Sequence, residues 1–172
     1  MGDTIQSGIG QSDNLFTPLQ LSNYCATVAN SGTRYELHFV KAIINTASGS
    51  INETGATVAE DLPISDNTFK IVREGMRMVA TNGAPGSVFK KINTSVACKT
   101  GTSQVIKNGQ KVNNGFLITF APYESPEISI ASVIELAGSG TSTAEITSSI
   151  IDYYYSNNTD EKPAQQTGTI LS

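Results

Sequence analysis

Lys99-Thr100-Gly101-Thr102 is the stretch in which residue types and spacing point to chemistry. An ammonium, two hydroxyls and a residue without a side chain follow one another inside an apolar, β-prone run. The hydroxyls of Thr100 and Thr102 suit a carboxylate. Gly101 leaves room for a ligand backbone to lie along the strand as an added strand. Alternation puts Lys99 and Gly101 on one face and Thr100 and Thr102 on the other. Taken alone, the tetrapeptide reads better as an exposed lysine on an edge strand, with threonine chosen for β propensity.

Other residues with chemical potential are scattered. Ser87-Val88-Phe89-Lys90 has the form Ser-x-x-Lys, and Ser12-Asp13-Asn14 and Ser65-Asp66-Asn67 have the form Ser-Asp-Asn. Cys25 and Cys98 lack metal-ligand spacing and read as buried thiols, with a disulfide between them left open until geometry decides it. His38 is the only histidine, so its default reading is a strand or loop residue rather than a triad member or ligand. Neither a metal nor a cofactor is expected.

The 172 residues suffice for one domain with a core. A net charge of -4 argues against nucleic acid, which requires clustered Lys and Arg. No apolar run approaches the ~18–20 residues that span a bilayer, and no signal peptide opens the chain. The chain itself is expected to be soluble. If it works outside the cytoplasm, the export or anchor segment belongs to a longer parent.

The elements that must carry these residues can be placed. Thr17 caps a helix over 18–31, with Pro18 at its first position and Gln20 completing a capping box. Leu21, Tyr24, Cys25 and Val28 form its stripe, and Gly32 stops it. Residues 34–45 read as extended and 51–64 as a weakly patterned connection. Ser65-Asp66 caps a second helix whose stripe is Phe69, Val72, Met76 and Val79-Ala80, ended by Asn82-Gly83. Residues 95–106 and 112–121 are strands joined at Asn108-Gly109, a strong hairpin signal. Pro122 to Pro126 turn the chain into a third strand, 127–136, broken by Gly138 and Gly140. A helix over 142–155 follows, with Ala144, Ile146-Thr147 and Ile150-Ile151 inward. The sum is an α+β fold, an antiparallel three-stranded meander packed with helices over residues 1–155. A polar tail, 156–172, is expected to be disordered.

Three blocks in register carry a resemblance: Ile9-Gly10-Gln11 followed by Thr17-Pro18-Leu19-Gln20-Leu21; Ile71-Val72-Arg73-Glu74-Gly75-Met76 leading to Lys99-Thr100-Gly101-Thr102; and Phe116-Leu117-Ile118-Thr119-Phe120-Ala121-Pro122. Over residues 3–155 the chain resembles the C-terminal part of the transpeptidase domain of class B penicillin-binding proteins. The resemblance implies a truncated form of the β-lactamase/transpeptidase-like fold. It also implies part of a peptidoglycan D,D-transpeptidase, extracytoplasmic and membrane-anchored in the parent, which binds D-Ala-D-Ala stem peptides and β-lactams. By resemblance, Lys99 places positive charge beside the substrate carboxylate and the catalytic serine. Thr100, Gly101 and Thr102 bind substrate, and the backbone N–H of Thr102 is one of two oxyanion-hole donors.

In that family the order is Ser-x-x-Lys, Ser-x-Asn, Lys-Thr-Gly. Here Ser87 follows both Ser-Asp-Asn matches, so all three are expected to be non-catalytic. The nucleophile is expected in polypeptide preceding Met1, which leaves this chain inactive alone. Gly83-Ala84-Pro85 and Asn114-Gly115-Phe116 depart from the family's usual residues, so the loop shape by the cleft stays open. The resemblance implies five strands, two of them from the absent part, so 127–136 is expected to expose an edge and support a homodimer. Two other readings remain: a non-catalytic peptidoglycan- or partner-binding module, and a β-lactam sensor or β-lactamase-related domain.

Overall fold

The computed structural model describes Ile5, Ser7 and residues 15–157. Ile9-Gly10-Gln11, Ser12-Asp13-Asn14 and the tail from 158 lie outside the described residues.

Helix α1 spans Pro18–Ala29. Its capping box forms in full: Gln20 N–H donates to Thr17 Oγ1 at 3.2 Å, and Thr17 N–H donates to Gln20 Oε1 at 2.9 Å. The helix ends two residues before the expected limit. Gly32 N–H donates to Thr27 O and Ser31 N–H to Val28 O, with Ser31 itself at φ 65, the Schellman pattern of a helix end.

Two small ribbons follow. Strand β1 (Thr33–Tyr35) pairs with β4 (Val58–Asp61), and β2 (Ala42–Ile44) with β3 (Ile51–Glu53), both antiparallel. The expected extended stretch 34–45 is therefore interrupted, and the connection 51–64 contains two strands. These strands are three or four residues long and largely exposed, so they carry no inside–outside alternation to read.

Helix α2 spans Asp66–Asn82, with Ser65 Oγ accepting from Thr68 N–H at 3.2 Å. Phe69, Met76 and Ala80 are buried, whereas Val72 is exposed. A single helical turn, α3 (Gly86–Phe89), leads into the main sheet. Strands β5 (Ala97–Lys107), β6 (Gln110–Ala121) and β7 (Ile128–Ile134) form an antiparallel meander in the order β5-β6-β7. Asn108 and Gly109 take φ 53 and 75, both positive as a two-residue hairpin of this kind demands. A 3₁₀ turn, Gly140–Thr143, opens α4 (Ala144–Asn157).

The sheet has helices on both faces. Cys25, Val28, Ala29 and Met76 pack on Ala97 and Phe120 on one face. Ala80, Phe89, Ala144 and Ile151 pack on Val96, Cys98, Leu117 and Ala121 on the other. The inward face of α4 is Ala144, Thr147, Ser148 and Ile151, and Ile146 and Ile150 are exposed. Ala144, Thr147 and Ile151 thus face inward as expected and Ile146 and Ile150 do not; Ser132 on β7 and Thr147 on α4 hydrogen-bond at 2.7 Å inside the interface. Tyr24, expected in the stripe of α1, is also exposed.

Candidate functional site: an open edge strand

Among the described residues β5 is an edge of its sheet, so side chains from both faces are reachable along one open margin. Lys99 and Gly101, on one face, and Thr100 and Thr102, on the other, therefore border the same margin. Lys99 and Thr102 are exposed, and Thr100 and Gly101 are half-buried. Gly101 sits opposite Phe116 and Thr102 opposite Gly115.

Backbone direction can be read from hydrogen bonds outside the ladder. In an antiparallel pair, the N–H and C=O of successive residues alternate between the two neighbours. Asn113 O accepts from Gly138 N–H at 3.3 Å, and Ala121 O from Glu127 N–H at 2.9 Å, so odd-numbered residues of β6 face β7. Even-numbered Phe116 therefore faces β5 and bonds Gly101. The N–H and C=O of Thr100 and Thr102 consequently point away from β6, toward the open edge. The Lys99 ammonium donates to Thr100 O at 2.6 Å, as this direction requires.

Two arginines of α2 fix the strand's approach. Arg77 Nη1 donates to Val96 O at 2.8 Å, and Arg73 Nη2 to Tyr123 O at 2.9 Å. The Arg73 guanidinium also stands 5.7 Å from the Phe120 ring centroid and 5.8 Å from that of Tyr123. The Ser95 hydroxyl donates to Glu124. That bond, aided by the Arg77 charge, holds the Glu124 carboxyl below its usual range.

The other residues with chemical potential are placed apart from β5 or within the core. Cys25 and Cys98 are free and buried, in clusters on opposite faces of the sheet, so the open question of a disulfide is answered by two separate thiols. Burial pushes Cys25 up to about 11 and Cys98 up to about 12, the Lys99 charge drawing the latter back only in part. Neither offers a thiolate near neutral pH. His38 is exposed, with Nδ1 3.0 Å from Val40 O. No group of three metal-ligating side chains occurs among the described residues. Ser65 is engaged as the cap of α2. Ser87 lies exposed on α3, whose backbone packs on α2 and α4 and keeps clear of β5. Ser12 is outside the described residues.

Two clefts, of about 290 and 230 Å³, are lined by Arg77, Lys90 and Ser95 and by Lys70, Arg73 and Glu124 respectively; neither includes Lys99–Thr102. The motif stands on the β5 margin, outside both clefts. Its backing was not legible in the sequence: Gly140 lies directly over Gly101, although the pattern identified it only as a strand breaker. No described helix is long and apolar enough to cross a membrane.

Comparison with known proteins agrees with this architecture. The family described as penicillin binding protein transpeptidase domain matches residues 1–152. The chain is 32% identical to the peptidoglycan D,D-transpeptidase MrdA of Haemophilus influenzae over 174 residues, covering 89% of this chain and 26% of that protein. It is 34% identical to penicillin-binding protein 2B of Streptococcus pneumoniae over 139 residues, covering 75% of this chain and 20% of that protein. The solved structure of penicillin-binding protein 2B from Streptococcus pneumoniae superposes with a TM-score of 0.78 at 27% identity, covering 94% of this chain and 28% of that one. The chain thus spans about a quarter of the length of these relatives. A family match over nearly the whole chain, together with relatives above 30% identity, places it in the penicillin-binding protein transpeptidase family, within class B.

Proposed function

We propose that this chain supplies the substrate-facing wall of a peptidoglycan D,D-transpeptidase, and that the attacking serine comes from polypeptide outside it. The observation that carries this reading is the placement of Lys99-Thr100-Gly101-Thr102 on an open edge strand, with the backbone of Thr100 and Thr102 directed outward.

The roles follow from that geometry. A stem peptide ending in D-Ala-D-Ala lies along the β5 edge as an added strand, which the bare Cα of Gly101 permits. The hydroxyls of Thr100 and Thr102 hold its terminal carboxylate. The Lys99 ammonium neutralises that carboxylate and favours the ionised form of the neighbouring serine. The serine oxygen bonds to the penultimate carbonyl carbon, and the developing oxyanion is held by the Thr102 N–H, one of two donors. The C–N bond breaks, and the terminal D-Ala leaves with a proton on its nitrogen. An amine of a second stem then takes the acyl group and restores the serine. A β-lactam, imitating the dipeptide, is opened by the same serine and stays attached. No cofactor enters this sequence. The site acts outside the cytoplasm, in a parent protein held at the membrane.

The test uses the longer polypeptide that contains this chain. Lys99→Ala is expected to lower the rate of acylation by a fluorescent penicillin by about 10²-fold or more, the scale of a positioned acid–base or charge contribution. Acylation at the unsubstituted rate would refute the role given to Lys99.

A further inference from the structure

We propose that Gly140, seated through Gly115, is a positioning residue for the Lys99–Thr102 strand. It sets the height and tilt of the β5 edge at Gly101–Thr102 from behind. The proposal rests on the role given above to Thr102.

The loop after β7 doubles back across the meander. Leu136, at φ 59, donates its N–H to Asn114 Oδ1 at 3.1 Å, and Gly138 donates to Asn113 O at 3.3 Å. Ser142 Oγ donates to Ala137 O at 3.1 Å, and Thr143 Oγ1 donates to Gly140 O at 2.6 Å with Thr143 fully buried. The loop is therefore tied to β6 at its start and to the core at its end, and its middle cannot retreat.

That middle presses on the motif. A β-carbon built on Gly140 would overlap Phe116 O and lie 2.6 Å from Gly101 O and 2.9 Å from Gly101 N. These three atoms belong to the Gly101–Phe116 pair, the rung beside the outward-facing Thr102. A β-carbon on Gly115, opposite Thr102, would overlap Ser139 O and lie 2.9 Å from Ser139 C. Two glycines thus let loop and sheet interlock, backbone on backbone. Neither has a φ in the left-handed region, so the demand at both positions is for space. Because the obstructing atoms are backbone rather than flexible side-chain ends, an added methyl must move the strand.

A displacement of this kind acts on the transition state more than on binding. An oxyanion donor contributes only when aimed where charge develops, and small misplacements cost rate steeply. Gly49 provides the contrast. Its φ is +71 with nothing within 4 Å, so an alanine there strains the β2–β3 turn without reaching β5.

The experiment has two arms. In the longer polypeptide, penicillin acylation is resolved into a rate constant and a non-covalent dissociation constant. Gly140→Ala is expected to lower the rate constant at least tenfold and change the dissociation constant less than threefold. Gly49→Ala is expected to lower the melting temperature and leave both constants unchanged. In the present 172-residue chain, amide NMR is expected to show Gly101 and Thr102 displaced by Gly140→Ala and by Gly115→Ala, and undisturbed by Gly49→Ala. Wild-type acylation by Gly140→Ala, or unmoved Gly101 and Thr102 resonances in the glycine variants, overturns the proposal. If the unsubstituted longer protein takes no penicillin, the transpeptidase reading fails instead, and the NMR arm alone decides whether Gly140 positions the strand.

Discussion

Phe120 is the residue whose loss should be felt most widely, and its surroundings allow the effect to be sized. It is fully buried on β6 and packs in one cluster with Cys25, Val28 and Ala29 of α1, Met76 of α2 and Ala97 of β5. It therefore joins both helices of one face to the strand bearing Lys99. The Arg73 guanidinium lies over its ring, and Tyr123 stacks against it at 6.4 Å. Phe120→Ala removes the ring and leaves a cavity, at a cost of about 3–5 kcal/mol. The cation–π contact adds about 1 kcal/mol at most, since Arg73 keeps its contact with the Tyr123 ring. A domain of this size holds about 5–15 kcal/mol in total, so the variant sits near the edge of folding. With a urea slope of about 2 kcal/mol/M, the unfolding midpoint should fall by about 2 M. Urea titration followed by circular dichroism measures this. A double-mutant cycle with Arg73→Met should return a coupling of about 0.5–2 kcal/mol. A midpoint shift below 0.5 M, or zero coupling to Arg73, would refute the claim that this cluster fastens α1 and α2 to the sheet.

Three further outcomes are expected. Thr17→Ala removes the half of the capping box that Oγ1 accepts from Gln20 N–H, leaves the Thr17 N–H bond to Gln20 Oε1, and should cost about 1 kcal/mol in the same titration; a neutral result would mean that the start of α1 is not held by its cap. The Cys25 and Cys98 thiols keep their protons in the fold to about 11 and about 12, against a reference near 9.0, whereas an unfolded chain gives them up first. Their contribution is therefore intact below pH 9 and is lost as pH rises through the folded values. It amounts to at most about 3 and about 4 kcal/mol. The alkaline fall in stability should flatten in Cys98→Ala, and an unchanged slope would contradict it. Finally, β7 pairs only with β6 among the described residues, with one point of its outer margin, Ser129 O, taken by Ser22 Oγ of α1 at 3.2 Å. Pairing of two β7 edges predicts a concentration-dependent mass near twice 18.2 kDa in light scattering. A monomer at every concentration would count against that edge.

What could be read from the sequence was set by how local its cause is. Thr17-Pro18-Gln20 and Asn108-Gly109 act within four residues, and both a cap and a hairpin stand where the pattern puts them. The alternation of Phe116, Ile118 and Phe120 marks a strand, and β6 is one, but both of its faces are covered: Leu117, Thr119 and Ala121 on the other face are buried as well. Where the cause is tertiary, the pattern misleads. Ile146 and Ile150, expected inward, are exposed, whereas Thr147 and Ile151 are buried as the pattern puts them, the Thr147 hydroxyl partnered by Ser132 across the interface. Strands β1 to β4 carry no periodic signal because both their faces meet water. The site divides the same way. Lys99 to Thr102 gains a functional reading from the blocks in register around it, while Gly140 behind it is visible only once loop and sheet are packed together.

The proposed function gives this chain the wall and leaves the nucleophile to polypeptide outside it. A fluorescent penicillin should be incubated with the 172-residue chain and, in parallel, with the longer polypeptide containing it, followed by denaturing electrophoresis and mapping of the adduct. The expected result is no stable label on the chain alone and a label on the longer protein, at a serine outside residues 1–172. A stable adduct on the chain alone, mapped to Ser87 or Ser12, would contradict it.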